Sequence, residues 1–338
     1  MQTSPSLNDE VASRRQAITT QMAKAIVGQE WVIENLLLTL FCGGHALILG
    51  VPGLAKTRMI RSLSQILDLS FNRIQFTPDL MPSDITGTDI IEEDHETSKR
   101  RLAFLPGPLF ANLVLADEIN RTPPKTQAAM LQAMQEMEVS IGNKTYELPR
   151  PFHIFATQNP IEMEGTYELP EAQADRFMFC IRATYPTPEE EHRIVRQTTG
   201  NEEVALTPVL NAEELSHIQR IVRAVPVSDE VIDYAVRLVG ASRPDHDMAG
   251  ADVKEFVRWG ASPRASQYLV LGAKGYAAIT GQPCADYEGV RYVAQQVLGH
   301  RILMNFNARA QKITSENIIN GILKTVKTSS GKVLITAK

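Results

Sequence analysis

The feature that most constrains this chain is the run from His45 to Thr57, HALILG followed by VPGLAKT. Ala46 to Leu49 have the length and apolar character of a short buried strand, which Gly50, Pro52 and Gly53 break. Behind Thr57, Met59, Ile60, Leu63 and Ile66 recur at helical spacing. Strand, glycine-containing turn and helix in this order make a cradle for an anion. Successive backbone N–H groups must curl toward one point, which a side chain at Gly50 or Gly53 would obstruct, and the helix N-terminus already favours negative charge. Gly50, Val51, Pro52, Gly53, Leu54 and Ala55 are therefore candidate phosphate-binding residues. Lys56 would reach the outer phosphates and Thr57 would offer its hydroxyl to a magnesium ion. One position departs from the strict G-x-x-x-x-G-K-[ST] pattern, because Ala55 stands where the second glycine is expected. Taken alone, the stretch reads equally as an ordinary Gly/Pro turn before a helix.

A second element stands about sixty residues further on, the distance of one or two additional βα units. Asn112 to Ala116 (NLVLA) reads as a buried parallel strand, and it ends in Asp117-Glu118. Acids at the carboxyl end of such a strand sit where open α/β sheets bind ligands. Asp117 is suited to hold magnesium through its water shell, and Glu118 to orient and deprotonate an attacking water. The competing reading is an acidic cap for the following helix; the phosphate loop at this distance favours the catalytic one.

Around these two elements the chain alternates strands and helices as far as residue 185. Residues 7 to 25 read as a polar-faced helix, followed by Val27-Gly28 and by a helix with Val32, Ile33, Leu36, Leu37 and Leu40 on one face. Val27 and Gly28 either pack in the core or line an adenine pocket. Further strands are expected at Phe71 to Phe76, Phe152 to Thr157 and Phe177 to Ile181. Two hairpins are expected, one with a solvated charged middle from Glu92 to Arg101 and one around Gly142-Asn143-Lys144. The helix from Thr126 to Met137 carries an inward stripe of Met130, Leu131, Met134 and Met137, a core pattern. At Tyr185-Pro186-Thr187-Pro188 strands stop, and six amphipathic helices follow between Glu189 and Val326. The expected division is an N-terminal helix over 1–25, an α/β core over 26–185 and a helical lid over 186–338. Within that lid, residues 245 to 256 (DHDMAGADVKEF) read as an exposed connector.

Composition excludes several classes. A chain of 338 residues with 43% hydrophobic content can bury real cores, and no run approaches the roughly 18 apolar residues of a membrane span. The first sixteen residues lack the apolar centre of a signal peptide, so the expectation is a soluble cytoplasmic protein. A net charge of −5 and few aromatic residues interleaved with basic ones argue against a nucleic-acid partner. Cys42, Cys180 and Cys284 are expected as buried apolar residues in a reducing compartment, and the seven histidines show no ligand spacing.

Four stretches together carry a resemblance to the AAA+ ATPases, and within them to the MoxR family: GVPGLAKT at 50 to 57, LVLADEINRTPPKTQAAMLQAMQE at 113 to 136, FATQNPIEMEGTYELPEAQADRF at 155 to 177, and GASPRA at 260 to 265. The alanine at position 55 is what phosphate loops of this family show. The resemblance implies an α/β fold, an AAA+ core with a parallel five-stranded sheet and hairpin inserts, followed by an all-α lid domain. It implies that Asn159 matches the sensor 1 residue that helps position the lytic water, and that Arg176 matches the arginine finger that a neighbouring subunit inserts against the γ-phosphate. Arg264 then matches sensor 2 in the lid. Packing alone offers other roles: a local ion pair for Arg176 and a surface helix start for Arg264. ATP and Mg²⁺ are the implied cofactors. The implied partners are further copies of the chain in a ring, hexameric by resemblance, and a protein substrate or a partner bearing a von Willebrand factor A domain. A nucleic-acid or chelatase-type motor and a non-hydrolysing nucleotide-dependent scaffold are the rival expectations.

Overall fold

The computed structural model describes residues 7–93, 100–159, 166–167, 169–200 and 204–328. Most of the charged middle of the first hairpin, and residues 160–165 and 168 of the stretch at 155–177, lie outside the described residues. In chain order the first elements are α1 (Leu7–Ala25), α2 (Glu30–Phe41), β1 (Ala46–Leu49), α3 (Lys56–Ile66), β2 (Phe71–Gln75) and α4 (Pro82–Thr86). The hairpin β3 (Gly87–Glu93) and β4 (Arg100–Pro106) precedes β5 (Leu113–Asp117) and α5 (Pro124–Glu136). The hairpin β6 (Glu138–Ile141) and β7 (Lys144–Glu147) precedes β8 (His153–Gln158), α6 (Glu171–Ala174) and β9 (Phe179–Arg182).

These strands give a five-stranded sheet in the order β2-β5-β8-β1-β9, all neighbours parallel. The pattern of burial shows why. Along β5, Leu113 and Leu115 join one apolar cluster while Val114 and Ala116 join another, and on β8 Phe155 is separated from Ile154 and Ala156 in the same way. Strands buried on both faces need apolar residues throughout and helices on either side. One cluster packs the sheet against α1, α2 and α3 and continues into the C-terminal helices. The other packs it against α4, α5 and the hairpins, with Met130, Leu131 and Met134 buried as their spacing requires. The two hairpins touch through the stacked rings of Phe104 and Tyr146, whose centroids are 4.0 Å apart.

Beyond β9 the chain becomes helical: α7 (Pro188–Thr198), α8 (Ala212–Ala224), α9 (Asp229–Ala241), α10 (Ala251–Phe256), then β10 (Val257–Trp259), α11 (Pro263–Ile279) and α12 (Tyr287–Leu298). The short β11 (Leu303–Met304), α13 (Phe306–Ala310) and α14 (Ser315–Thr325) complete it. Helix α7 starts where it does because Thr187 caps it, its side chain accepting from the Glu190 backbone N–H, and Pro188 occupies the first helical position. No helix among the described residues is long and apolar enough to cross a membrane.

Three sequence expectations are corrected. Residues 245 to 256 are not simply an exposed connector, since α10 forms within them and buries Val253 and Phe256. Strands do not stop entirely at 185, because β10 and β11 pair antiparallel inside the helical region. Cys42 and Cys180 are buried, and burial pushes both thiols up to about 12, but Cys284 is exposed.

Two buried histidines lock the start of β1 to its neighbours. His45 Nδ1 accepts the Ile154 N–H at 3.0 Å, so its Nε2 carries the proton and faces the Met134 carbonyl at 3.3 Å. His153 Nδ1 donates to the Gly44 carbonyl at 2.8 Å, leaving Nε2 to accept from the Gln219 amide at 3.0 Å. Both rings must be neutral in this arrangement. Burial, helped by the charge of His153, brings His45 down to about 3, and burial brings His153 to about 4. Below pH 6.5 the unfolded chain takes up protons that the folded chain refuses, so stability is complete above that value and falls as pH drops toward 4. The expected loss is about 1.4 kcal/mol per pH unit for each ring. Urea denaturation at pH 7 and pH 5 should show this fall, and His153→Gln should reduce its steepness; an unchanged slope in the variant would contradict the neutral-ring assignment.

Candidate nucleotide site

The phosphate loop leaves β1 at the carboxyl edge of the sheet. Its alanine behaves as the missing glycine would: Ala55 has φ 55° and ψ 22° and directly precedes α3. A left-handed backbone costs an L-residue about 1 kcal/mol, which the surrounding turn must offset. Gly50 and Gly53 are demanded by different physics. A Cβ on Gly50 would lie 3.0 Å from the Ala183 Cβ, whereas Gly53 has open space around it but a φ of 87°. Its constraint is therefore backbone conformation, where the sequence suggested obstruction. Lys56 and Thr57 occupy the first turn of α3, both half-buried, with Leu54 buried beneath the loop and Val51 and Pro52 at its rim.

The Lys56 ammonium donates to the Gly50 carbonyl at 2.6 Å, closing the loop on itself. Burial lowers its pKa, and the charges of Asp117 and Glu118 pull it back up. Cation and acids therefore face one another across the tip of β8, the strand lying between β1 and β5.

The acids are held by residues that the motifs alone did not reveal. Asp117 is nearly buried; its Oδ2 accepts from Arg73 Nε at 3.0 Å and Nη2 at 2.6 Å, and its Oδ1 accepts from the Thr157 hydroxyl at 2.6 Å. Thr157 in turn accepts the Glu118 backbone N–H at 2.9 Å, so one hydroxyl on β8 joins both acids. Glu118 sits at φ 57°, a strained conformation for a non-glycine residue. Its Oε2 accepts from Gln75 at 2.9 Å and pairs with Arg121 at 3.1 Å. Arg73 and Gln75 alternate with buried Ile74 on β2, a period of two that could have flagged them as one polar face. Asn159 follows β8 directly and is buried at the same strand tip.

Val27 lines a cavity of about 200 Å³ together with Gln29, Gly53, Ala55, Arg58, Pro186 and Ile194. It is walled by the phosphate loop on one side and by α7 on another. Gly28 shapes the turn rather than the wall: its φ of 68° favours glycine, and a Cβ there would displace the end of the Glu190 side chain, whose carboxylate would lie 2.6 Å away. A larger cavity of about 530 Å³ lies near Trp31, Arg182 and Tyr185, but no residue of the phosphate loop lines it.

Arg176 and Arg264 are not in this cleft. Arg176 precedes β9, whose Phe179 pairs with Ala46 at the start of β1, so it lies at the amino edge of the sheet, opposite the phosphate loop. Arg264 stands beside it, its Nη1 3.1 Å from the Asp175 carboxylate. Among the described residues the Arg176 guanidinium forms no salt bridge.

A strand-tip phosphate loop, an acidic pair on the second strand over and a helical lid are the features of AAA+ proteins. The family model for ATPases associated with various cellular activities matches residues 45–179, and a model of the AAA lid domain matches 249–322. The chain is 42% identical over 311 residues to Chaperone MoxR1 of Mycobacterium tuberculosis, covering 90% of this chain and 80% of that protein. It is 38% identical over 305 residues to the uncharacterized protein YeaC of Bacillus subtilis, covering 90% and 91%. A crystal structure of a Cytophaga hutchinsonii protein, provisionally named an ATPase, superposes with a TM-score of 0.88 at 38% identity over 96% of this chain and 97% of its own. The chain belongs to the MoxR family of AAA+ ATPases.

Thr157→Val removes the shared hydroxyl and leaves the Glu118 N–H and an Asp117 oxygen without their partner. Stability in urea is expected to drop by about 1–3 kcal/mol, and ATP turnover should fall with it; a variant with wild-type stability and turnover would show that the hydroxyl does not organise the acids.

Proposed function

We propose that this chain hydrolyses ATP with Mg²⁺ at the carboxyl edge of its sheet, in a ring of identical subunits. In our reading the ring is hexameric, cytoplasmic and couples hydrolysis to remodelling or maturation of partner proteins. The observation that carries this reading is the convergence of Lys56, Asp117 and Glu118 on one cleft while Arg176 and Arg264 sit together at the opposite edge.

The site fits a nucleoside triphosphate. The loop presents a left-handed turn with open space at Gly53, a half-buried cation and the first turn of a helix, and the neighbouring cavity has room and apolar walls for a base. In the proposed assignment Gly50 through Ala55 and Lys56 hold phosphates, Thr57 and Asp117 hold the magnesium, and Val27 and Gly28 shape the base pocket. Magnesium, when bound, neutralises charge building on the phosphates. Glu118 accepts the proton of the attacking water, and Asn159 orients that water from the adjoining strand tip. Arg176, free of salt bridges among the described residues, reaches the γ-phosphate of the next subunit, with Arg264 delivered to the same place by its position beside it. A subunit cannot bring either arginine round its own sheet, so hydrolysis requires assembly. Remodelling is supported by the chaperone name of the relative at 42% identity. A partner with a von Willebrand factor A domain is part of the same proposal, as is the division into 1–25, 26–185 and 186–338.

Three variants separate the parts. Lys56→Ala should lose nucleotide binding in a titration with a fluorescent ATP analogue, and retained affinity would remove the phosphate-loop assignment. Glu118→Gln should bind ATP and not turn it over. Arg176→Ala should bind normally and hydrolyse about 10³-fold more slowly. Mixing it with Glu118→Gln subunits should restore turnover, whereas failure at every ratio would overturn action in trans.

A further inference from the structure

The turn that carries Arg176 is held by the lid far more completely than packing requires. The side chain of Arg301, which follows α12, is 2% exposed, and all five of its N–H groups are used. Nε donates to the Asp175 carboxylate at 2.7 Å. Nη2 donates to the carbonyls of Asp175 at 2.8 Å and Phe177 at 2.7 Å, and Nη1 to those of Met178 at 3.3 Å and Val297 at 2.5 Å. The carbonyl left over in this run, that of Arg176 itself, accepts from the Tyr268 hydroxyl at 3.2 Å. Four consecutive carbonyls, 175 to 178, are thus bound by Arg301 and Tyr268, with His300 Nε2 also 3.1 Å from that of Phe177, and the Arg301 guanidinium lies 5.1 Å from the centre of the Tyr268 ring. The Asp175 carboxylate is held further by Ser262 and Arg264.

We propose that Arg301, assisted by Tyr268, is a positioning residue for Arg176: it fixes the backbone on both sides of the finger so that the guanidinium is presented at one angle to the next subunit. A surface turn could satisfy its carbonyls with water. Binding three of them to a buried planar fork, and the fourth to the Tyr268 hydroxyl, gives rigidity that water cannot, because the fork's donors are locked relative to one another. The same contacts make the finger's placement depend on the docked lid, so a lid shifted away from Asp175 withdraws it. This rests on the reading that Arg176 acts in trans.

The test uses Arg301→Lys, which keeps the charge and loses the fork, and Tyr268→Phe, which removes one hydroxyl and keeps the ring. Nucleotide affinity should stay within about twofold, while turnover falls roughly 10- to 100-fold for Arg301→Lys and less for Tyr268→Phe, as expected for a misplaced group. Mixing with Glu118→Gln, whose finger is intact, should restore turnover of both variants. Mixing with Arg176→Ala should not, because neither partner then has a placed finger. Should Arg301→Lys fail to fold, Tyr268→Phe carries the same comparison. Unchanged turnover in Tyr268→Phe and Arg301→Lys overturns the proposal, as does a deficit that Glu118→Gln fails to relieve while relieving Arg176→Ala. If Arg176→Ala itself is never relieved, the trans reading fails first, and the two failures are told apart.

Discussion

Everything in the candidate site depends on the level at which three parallel strands end. Leu49 of β1 lies opposite Gln158 of β8, and Ala116 of β5 lies opposite Ala156, so the phosphate loop, Asn159 and the acids leave the sheet at the same height. A shift of one residue in any pairing would turn a chemical group from the cleft into the core, since neighbouring side chains on a strand point to opposite faces. The alternation of Leu113, Val114, Leu115 and Ala116 between two apolar clusters fixes that register. The Thr157 hydroxyl then ties the outcome together at the tip by joining Asp117 to the Glu118 backbone.

The lid interface rests on a different kind of interaction. A buried ion pair such as Arg301 with Asp175 adds little net stability, because desolvation offsets most of the attraction, but removing one partner costs about 3–5 kcal/mol. What such a pair gives is a single geometry. Here it is surrounded by backbone acceptors, Ser262 and Arg264, so the helical region and the core meet in one defined way at the amino edge of the sheet. Among the described residues the helical region makes lighter contacts at the carboxyl edge: Gln197 of α7 donates to the Lys24 carbonyl, Arg182 and Glu316 pair at 3.5 Å, and a cavity lies between α7 and the phosphate loop.

Much of this was legible in the sequence because local signals and tertiary needs agree there. The phosphate loop, the buried run before Asp117 and the helix from Pro188 each carry their own stop and start residues, and the observed bounds differ from expectation by a residue or two. Ala55 shows the limit of pattern matching, since the backbone adopts the glycine conformation without the glycine. The holders of the acids were less visible: Arg73 and Gln75 are ordinary polar residues until β2 pairs with β5. The lid contacts were invisible, because Ser262 and Arg301 meet Asp175 across 87 and 126 residues of chain and no local periodicity reports such a meeting. The stretch at 245 to 256 misled for the opposite reason, its Asp, His and Gly residues hiding three positions, Ala249, Val253 and Phe256, that pack inward.

The small cavity beside Val27 has walls from two stretches distant in sequence, Gly53 and Ala55 on one side, and Pro186, Ile194 and Gln197 on the other. Any molecule filling it touches both and therefore acts as mortar between them. By mass action, occupancy at a hundred times its dissociation constant would add about 2.7 kcal/mol to whatever holds those parts together. That is comparable to several side-chain contacts supplied from outside the polypeptide. A ligand bound there would raise the melting temperature of the chain, because its contacts would lie on both sides of that seam.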